Sequence, residues 1–509
     1  MMLKKFFSCF MAAAIAAAGL ITGNYSYISI DSAAADSYLS APASTDVLKE
    51  SAYVTWTPVS GADGYNVYCK PIGGSYVQLD SMLIRQYSGY FRADAVGLKP
   101  GSYVMKVVPT ADGKEDTSKA VESDAITVGS YDRSGFAFSK NSPNGGTGVG
   151  AYNDDGTLKD DAIVLYLTEE TKKTMKFDVK GSSGYVSCTG LVEILDAYSD
   201  GYDSRPLNIR IIGKVTADGV VGANSDTNNL NLKTNNTKRI VKNITIEGIG
   251  DDAVCYGFGI RGLKIQSVEI RNIGIMLFGD DGIAFETANK NIWVHNNDIF
   301  YGTAGGDADQ AKGDGSLDLK NDSQYFTISY NHFWDSGKMS LCGMKSETGE
   351  NWITYHHNWF DHSDSRHPRI RTMSVHVYNN YYDGNAKYGV GAVLDADAFV
   401  EANYFRNCKY PMLICGQGSD TGTFDDGVGA MIKSYGNYIE GAKSYITQNE
   451  SSTSFDAYEV SSRNEKVPDS VKSLDGMGYN NFDTDSSIMY SYTADAAADV
   501  PAIVMSEAG

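Results

Sequence analysis

Asparagine recurs along the second half of this chain at intervals that fit only a few folds. Asn272, Asn297, Asn331, Asn358, Asn380, Asn403 and Asn437 are each followed within two residues by a large apolar side chain. Their separations are 25, 34, 27, 22, 23 and 34 residues. Each unit carries a short β-branched or aromatic run: Val268–Ile270, Ile292–Val294, Phe326–Ile328, Ile353–Tyr355 and Val375–Tyr378. A minimum period near 22 residues with variable insertions matches coils of a parallel β-helix. Stacked coils would bring the asparagines to one corner as a hydrogen-bonded ladder, and the longer intervals would mark loops. An irregular β-sandwich explains the strands but leaves the repeated corner without a reason.

The expected architecture is therefore all-β: a right-handed parallel β-helix over residues 131–509, preceded by a smaller domain over 45–130. In that domain Tyr53–Trp56, Gly64–Tyr68 and Ser102–Val108 read as strands separated by turns such as Ser60–Gly64. This pattern suggests a β-sandwich. Trp56, Pro58, Gly64–Tyr65 and Leu98–Tyr103 resemble the fibronectin type III pattern, with Tyr103 as its corner tyrosine. A spacer or a carbohydrate-binding module fits a domain in which no His, Asp or Arg converge.

At the N-terminus Lys4 and Lys5 precede an uncharged run from Phe6 to Ile21, and Ala33–Ala35 offers a cleavage site. Residues 1–35 thus read as a secretion signal, with a retained anchor as the alternative. A secreted, extracellular, monomeric protein without stable membrane insertion is expected. Of seven cysteines, Cys9 lies in the signal; Cys69, Cys188, Cys255, Cys342, Cys408 and Cys415 match no metal spacing. They are read as buried thiols or as disulfides.

Charge narrows the function. Asp and Glu number 63 against 43 Lys and Arg, a formal net charge of −20. That balance argues against nucleic acid as a partner. An acidic polysaccharide needs a cationic mediator. Within this acidic chain, Ser365–Arg371 crowds Arg366, Arg369 and Arg371 around His367 and Pro368. Guanidinium groups suit carboxylates and phosphates, although exposed charge runs are often only solvated surface. Upstream stand Asp280–Asp281 and, one coil on, Asp314–Asp318; Lys338 follows in the next coil. Clustered carboxylates suit Ca²⁺. In a straight strand Asp314 and Asp318 would be about 13 Å apart, so sharing an ion requires a bend, for which Gly315 is suited. Asp307, Asp309 and Asp322 are further candidates. All seven histidines fall between His295 and His376; several flank the asparagine corners, which favours packing over a metal site.

Several blocks in order resemble the calcium-dependent pectate lyases of polysaccharide lyase family 1. They are Asp314–Lys320, Thr327–Phe333 with Lys338, Tyr355–Phe360, Val375–Tyr382 and the tail Ala498–Val504. The chain departs from the family where Ile292–Asn296 stands for a usual Val-Trp-Ile-Asp-His, a change that bears on packing. The resemblance implies Ca²⁺ held by Asp281, Asp314 and Asp318. It implies Arg366 as the base, with Lys338 and Arg371 binding the substrate carboxylate. The implied reaction is β-elimination in polygalacturonate, the de-esterified form of pectin. Because an arginine base must first shed a proton, activity should rise toward alkaline pH. The rival readings are a non-catalytic pectin-binding adhesin and a pectin hydrolase built on clustered acids such as Asp280 and Asp281.

Overall fold

The computed structural model describes residues 38–43, 46–223, 225, 227–301, 314–348, 351–422, 424–425 and 427–509. The expected signal (1–35), Cys9, Asp307 and Asp309 lie outside the described residues. The chain packs as two units. One runs up to Arg133 and takes in Tyr152–Asp160; the other comprises Ser134–Ala151 and Asp161–Gly509.

The first unit is a sandwich. A four-stranded sheet contains Ser51–Trp56 and Phe91–Val96 paired antiparallel. Strand Leu39–Ser40, ahead of the expected boundary at 45, pairs with Ser51–Trp56. A seven-stranded sheet is built around Gly64–Pro71 and Gly101–Ala111. Alternation sends Val54 and Trp56 from one sheet, and Val67, Met105 and Val107 from the other, into a shared core.

The second unit is a parallel β-helix. Its strands form an 18-stranded and an 8-stranded sheet, and the pairings along both are parallel. A representative coil contributes Leu317–Lys320 to the shorter sheet, then Gln324–Ser329 and His332–Trp334 to the longer one. Inward positions stack by kind. Val268, Ile292, Phe326, Ile353, Val375 and Ala398 are in register from coil to coil and fully buried. Phe333, Phe360, Tyr382 and Phe405 form a ring stack with centroids 5.2, 5.1 and 4.2 Å apart. Fully burying one such side chain stabilises the fold by about 1.5–3 kcal/mol.

Between the two longer-sheet strands of each coil sits the asparagine corner. The Asn331 amide donates to Asn358 Oδ1 at 3.0 Å and to the carbonyls of Val294 and Ser329. Its own Oδ1 accepts from the Asn297 main-chain and side-chain amides at 3.2 and 3.0 Å. The pattern continues through Asn358, Asn380, Asn403 and Asn437. The residue before each ladder asparagine is left-handed: Asn296, Tyr330, His357, Asn379, Ala402 and Gly436 have φ between 50° and 61°. That conformation costs a non-glycine residue about 1–2 kcal/mol. The saturated amides offset it.

Asn272 is the exception to the expected repeat. It occupies the left-handed position (φ 54°) and its amide turns to the carbonyls of Gly248 and Gly250. Ile273 takes the ladder place, offering only its main-chain N–H to Asn297. The histidines serve packing. His357 stacks on Tyr330, and His332 bridges Asp298 and Asp361. His295, in the segment that departs from the family pattern, lies against Trp293 and bonds Glu269 at 3.2 Å. The six described cysteines are free and buried. No helix among the described residues is long and apolar enough to cross a membrane.

Candidate active site

The chain enters each strand of the eight-stranded sheet from a loop, and four consecutive entries stack. Asp314 N–H donates to Asp280 O at 2.9 Å, and Ser316 N–H to Lys338 O at 3.0 Å. Ser365 N–H donates to Gly337 O at 3.2 Å, and Ser340 N–H to Arg366 O at 2.8 Å. Asp280–Asp281, Asp314, Lys338 and Arg366 therefore occupy neighbouring coils on one side of the solenoid.

The carboxylates gather at one end of this row. Oxygens of Asp280, Asp281 and Asp314 all lie within 4.8 Å of one another. Asp281 is 1% exposed; it accepts the Gly315 N–H at 2.8 Å and the Lys320 ammonium at 2.7 Å. Asp318, also 1% exposed, accepts the Leu341 N–H at 2.9 Å. Its second oxygen lies 3.3 Å from Lys320 Nζ yet makes no hydrogen bond. Gly315 permits this crowding, because a Cβ there would stand 2.2 Å from Asp318 Oδ1. Asp322 turns away and caps Thr348 at 2.6 Å.

Electrostatics show an unfinished balance. Burial, reinforced by the charge of Asp318, pushes the Asp281 carboxyl up to about 7. Burial opposes the charge on Lys320, but Asp318 and Asp281 outweigh it and hold the ammonium above the usual lysine range. The two partners shift upward for different reasons: burial raises Asp281, and the two carboxylates raise Lys320. Burial also raises Asp314, but the Lys338 ammonium, 2.8 Å away, more than reverses this and depresses the carboxyl. Among the described residues, the ammonium groups that pair with Asp281, Asp314 and Asp318 are those of Lys320 and Lys338.

The cations lie beyond Lys338. Lys338, Arg366, Arg369 and Tyr410 line a cavity of about 350 Å³. The Arg366 guanidinium has neither an ion pair nor a hydrogen bond among the described residues. The residue's φ of +69° is left-handed, a strained state for a side chain of this size. A cis His367–Pro368 peptide follows. His367 is fully buried, with Nδ1–H donating to the Tyr388 carbonyl at 2.6 Å and Nε2 accepting from the Ser363 hydroxyl at 2.6 Å. Burial pushes its imidazole down to about 3, so it is a neutral strut.

Arg369 and Arg371 flank the inward Ile370 on the strand Arg369–Arg371. Both grip Asp425, whose side chain is fully buried. Arg371 Nε and Nη2 lie 2.8 and 3.1 Å from its oxygens, and Arg369 Nη2 lies 2.5 Å away. Arg369 also donates to the Phe424 carbonyl at 2.9 Å. The structure therefore brings Asp281, Asp314, Lys338 and Arg366 into one row. Asp318 is turned to Lys320, and Arg371 is held by Asp425. Sequence reasoning placed Asp280 in the carboxylate cluster but not in the ligand set, and gave no part to Lys320 or Asp425. The alternation Asp318–Leu319–Lys320 carries a signal for Lys320, since strand neighbours two apart share a face. Asp425 stands 54 residues from Arg371 with no local pattern to mark it. A second group, Asp361, His362 and Asp383, has ligand atoms equally close together. Its Asp383 is already engaged by Arg406 at 2.9 Å.

The Pectate lyase family pattern matches residues 121–509. The pectate trisaccharide-lyase of Bacillus licheniformis is 31% identical over 225 residues, 43% of this chain and 62% of that protein. Pectate lyase 3 of Pectobacterium carotovorum is 36% identical over 196 residues, 37% of this chain and 52% of its own length. The chain thus spans between about half and three fifths of these curated relatives. A Bacillus sp. N165 pectate lyase, solved with trigalacturonate, superposes with a TM-score of 0.52 at 23% identity. The match covers 74% of this chain and 98% of that one, a likeness of fold. With the family pattern covering well over half of the residues, the chain belongs to the pectate lyase family.

Proposed function

We propose that this protein is a pectate lyase that cleaves polygalacturonate by β-elimination, with Ca²⁺ as cofactor. The observation that carries the reading is Arg366. Its backbone is strained and its guanidinium has no ion pair or hydrogen bond among the described residues; it faces a cavity beside Lys338 and next to a cluster of carboxylates in excess over their cations. In a hydrolase the acids would work alone on water. Here the row of acids, Lys338 and Arg366 offers a grip on an acidic sugar and a group aimed at it.

The donors fit a hard divalent cation: every one is an oxygen, Asp318 Oδ2 lacks a hydrogen bond, and carboxylates outnumber ammonium groups. Asp281, Asp314 and Asp318 would hold Ca²⁺, with Asp280 beside them. Bound there, the ion would withdraw charge from a uronate carboxylate and make the adjacent C5–H more acidic. Lys338 and Arg371 hold the carboxylate, with Asp425 fixing the direction of Arg371. Arg366 takes the C5 proton. The C5–H electron pair forms the C4–C5 double bond, and the C4 glycosidic oxygen leaves with its bonding pair and is protonated.

The remaining features fit an extracellular enzyme of plant cell-wall breakdown. Residues 1–35 would direct secretion, and the chain would act as a monomer. The sandwich would be a fibronectin type III-like domain: the Tyr103 hydroxyl donates to the Lys99 carbonyl at 2.9 Å, the hydrogen bond of a tyrosine corner. The deciding experiment incubates the purified chain with polygalacturonate and follows ultraviolet absorbance of the unsaturated product, with added Ca²⁺ or with a chelator. Ca²⁺-dependent absorbance is the expected result. Chain shortening without absorbance would indicate hydrolysis, and binding without shortening a lectin-like role; either would overturn the proposal.

A further inference from the structure

On the outer face of the 18-stranded sheet, near the end of the solenoid, a lysine and an aspartate meet out of reach of water. Lys433 lies on the strand Ala430–Tyr435, opposite Phe399 on Ala396–Glu401. Ala398 and Ile432 beside them belong to the inward stack, so Phe399 and Lys433 point the other way. Asp483 reaches this face from the turn Phe482–Thr484. Both side chains are 0% exposed, and Lys433 Nζ stands 2.5 Å from Asp483 Oδ2. The amine also donates to the Arg463 carbonyl at 3.1 Å and lies 4.8 Å from the Phe399 ring centroid.

A buried ion pair recovers its desolvation cost only where further hydrogen bonds serve the remaining lone pairs. Here Asp483 Oδ1 is buried without a hydrogen bond among the described residues, and so is the Tyr479 hydroxyl. Passing one proton from Lys433 to Asp483 leaves both groups neutral and strands no other charge. Arg463 Nε keeps Glu401 at 3.4 Å, and Glu401 in turn lies 2.9 Å from His376 Nε2. A neutral amine against a carboxylic acid in a dry site can condense if a further acid shuttles protons. Asp397 lies two residues from Phe399, on the same face of the neighbouring strand. Burial, reinforced by the charges of Asp395 and Asp483, pushes its carboxyl up to about 7, although it accepts the Asn480 N–H at 3.2 Å. Near neutrality it therefore carries a proton in many of the molecules.

We propose that Lys433 and Asp483 condense to an intramolecular amide that ties the C-terminal segment covalently to the sheet it covers, with Asp397 as the proton shuttle. The Lys433 nitrogen pair attacks Asp483 Cγ. The N–Cγ bond forms, and the Cγ–Oδ2 bond breaks with its electrons staying on oxygen. Asp397 gives its proton to that departing hydroxyl and takes one from the nitrogen, so one water leaves and nothing is oxidised or reduced. All six described cysteines are free, so no disulfide among the described residues does this work. The amide spans 50 residues of chain, a loop long enough for a cross-link to restrain the unfolded state.

The test weighs the purified full chain by mass spectrometry under denaturing conditions and then maps its tryptic peptides. The expected result is a mass one water below that of the sequence, with a branched peptide joining Lys433 to Asp483. Lys433→Ala and Asp483→Ala should each have the full mass of their sequences. Asp397→Asn, with circular dichroism to show that it folds, should lose most of the branched peptide. Only linear peptides from the wild type would overturn the link. A water lost within one linear peptide, as in a cyclic imide, would overturn it equally. Complete linkage in Asp397→Asn would overturn the part given to Asp397.

Discussion

Each coil of the solenoid turns two very different corners. At the asparagine corner every amide donor and acceptor is satisfied. Asn358 donates to Ile328 O and Asn380 Oδ1, and its own Oδ1 receives both amides of Asn331. At the groove corner the accounts stay open. Among the described residues, Asp318 Oδ2 has no hydrogen bond, four carboxylates share two ammonium groups, and the Arg366 guanidinium stands without a partner on a left-handed backbone. Both corners contain left-handed residues. At one they are compensated by the ladder; at the other the strain persists beside a cavity. The difference teaches that this fold separates what holds it together from what is left reactive.

The sharpest way to break that contrast is at Arg366. Replacement by alanine should lower kcat/KM on polygalacturonate about a thousandfold, while thermal unfolding shows no loss of stability. Arg366→Lys should also lose most activity; near-full activity there would remove the arginine from the role of base. On the other corner, Asn358→Ala takes the acceptor from the Asn331 main-chain N–H, one of three acceptors from its side-chain amide, and a donor from the Ile328 carbonyl. It should cost about 3 kcal/mol in urea unfolding, and a loss under about 1 kcal/mol would mean the ladder is ornamental.

A third prediction concerns pH. The folded His367 titrates near 3, below the 6.5 of an unperturbed imidazole. Between those values the unfolded chain binds the extra proton, so stability falls as pH drops, by about 1.4 kcal/mol per unit. His367→Gln should be less stable at neutrality, and its melting temperature should decline less steeply from pH 6.5 downward. Parallel declines would contradict the neutral strut. The smallest effect belongs to Asp425. Asp425→Asn keeps the shape but loosens Arg369 and Arg371, and kcat/KM should fall about tenfold, mainly through KM. A rise in activity would show that Asp425 competes with substrate.

Much of the fold was legible because a solenoid writes its geometry locally. Strands such as Ile292–Val294 and Phe326–Ile328 sit where their apolar runs indicated. The ladder was legible from Asn297 onward, and missed at Asn272 because asparagine is suited both to the ladder and to the left-handed residue before it. The charged row was legible where coils are regular, from Asp281 and Asp314 to Lys338 and Arg366. Side-chain pairing was not. Nothing in Arg371 announces a buried partner 54 residues away. Asp318 and Lys320 could be placed on one face, but spacing does not say that the lysine would lie between two aspartates.

The ladder also works as a ruler. Its rungs keep the axial rise constant whether a coil spends 22 residues or 34. Surplus length is therefore expelled sideways, and the described residues of both 34-residue intervals contribute to the groove side. Asn297 to Asn331 contains Asp314 and Asp318; Asn403 to Asn437 contains Lys409, Tyr410 and Asp425. A lineage or a protein engineer can lengthen these excursions, or exchange them, without renegotiating the pitch of the neighbouring coils. In this architecture new specificity can arrive by insertion, and the distance between successive asparagines is a record of where it has done so.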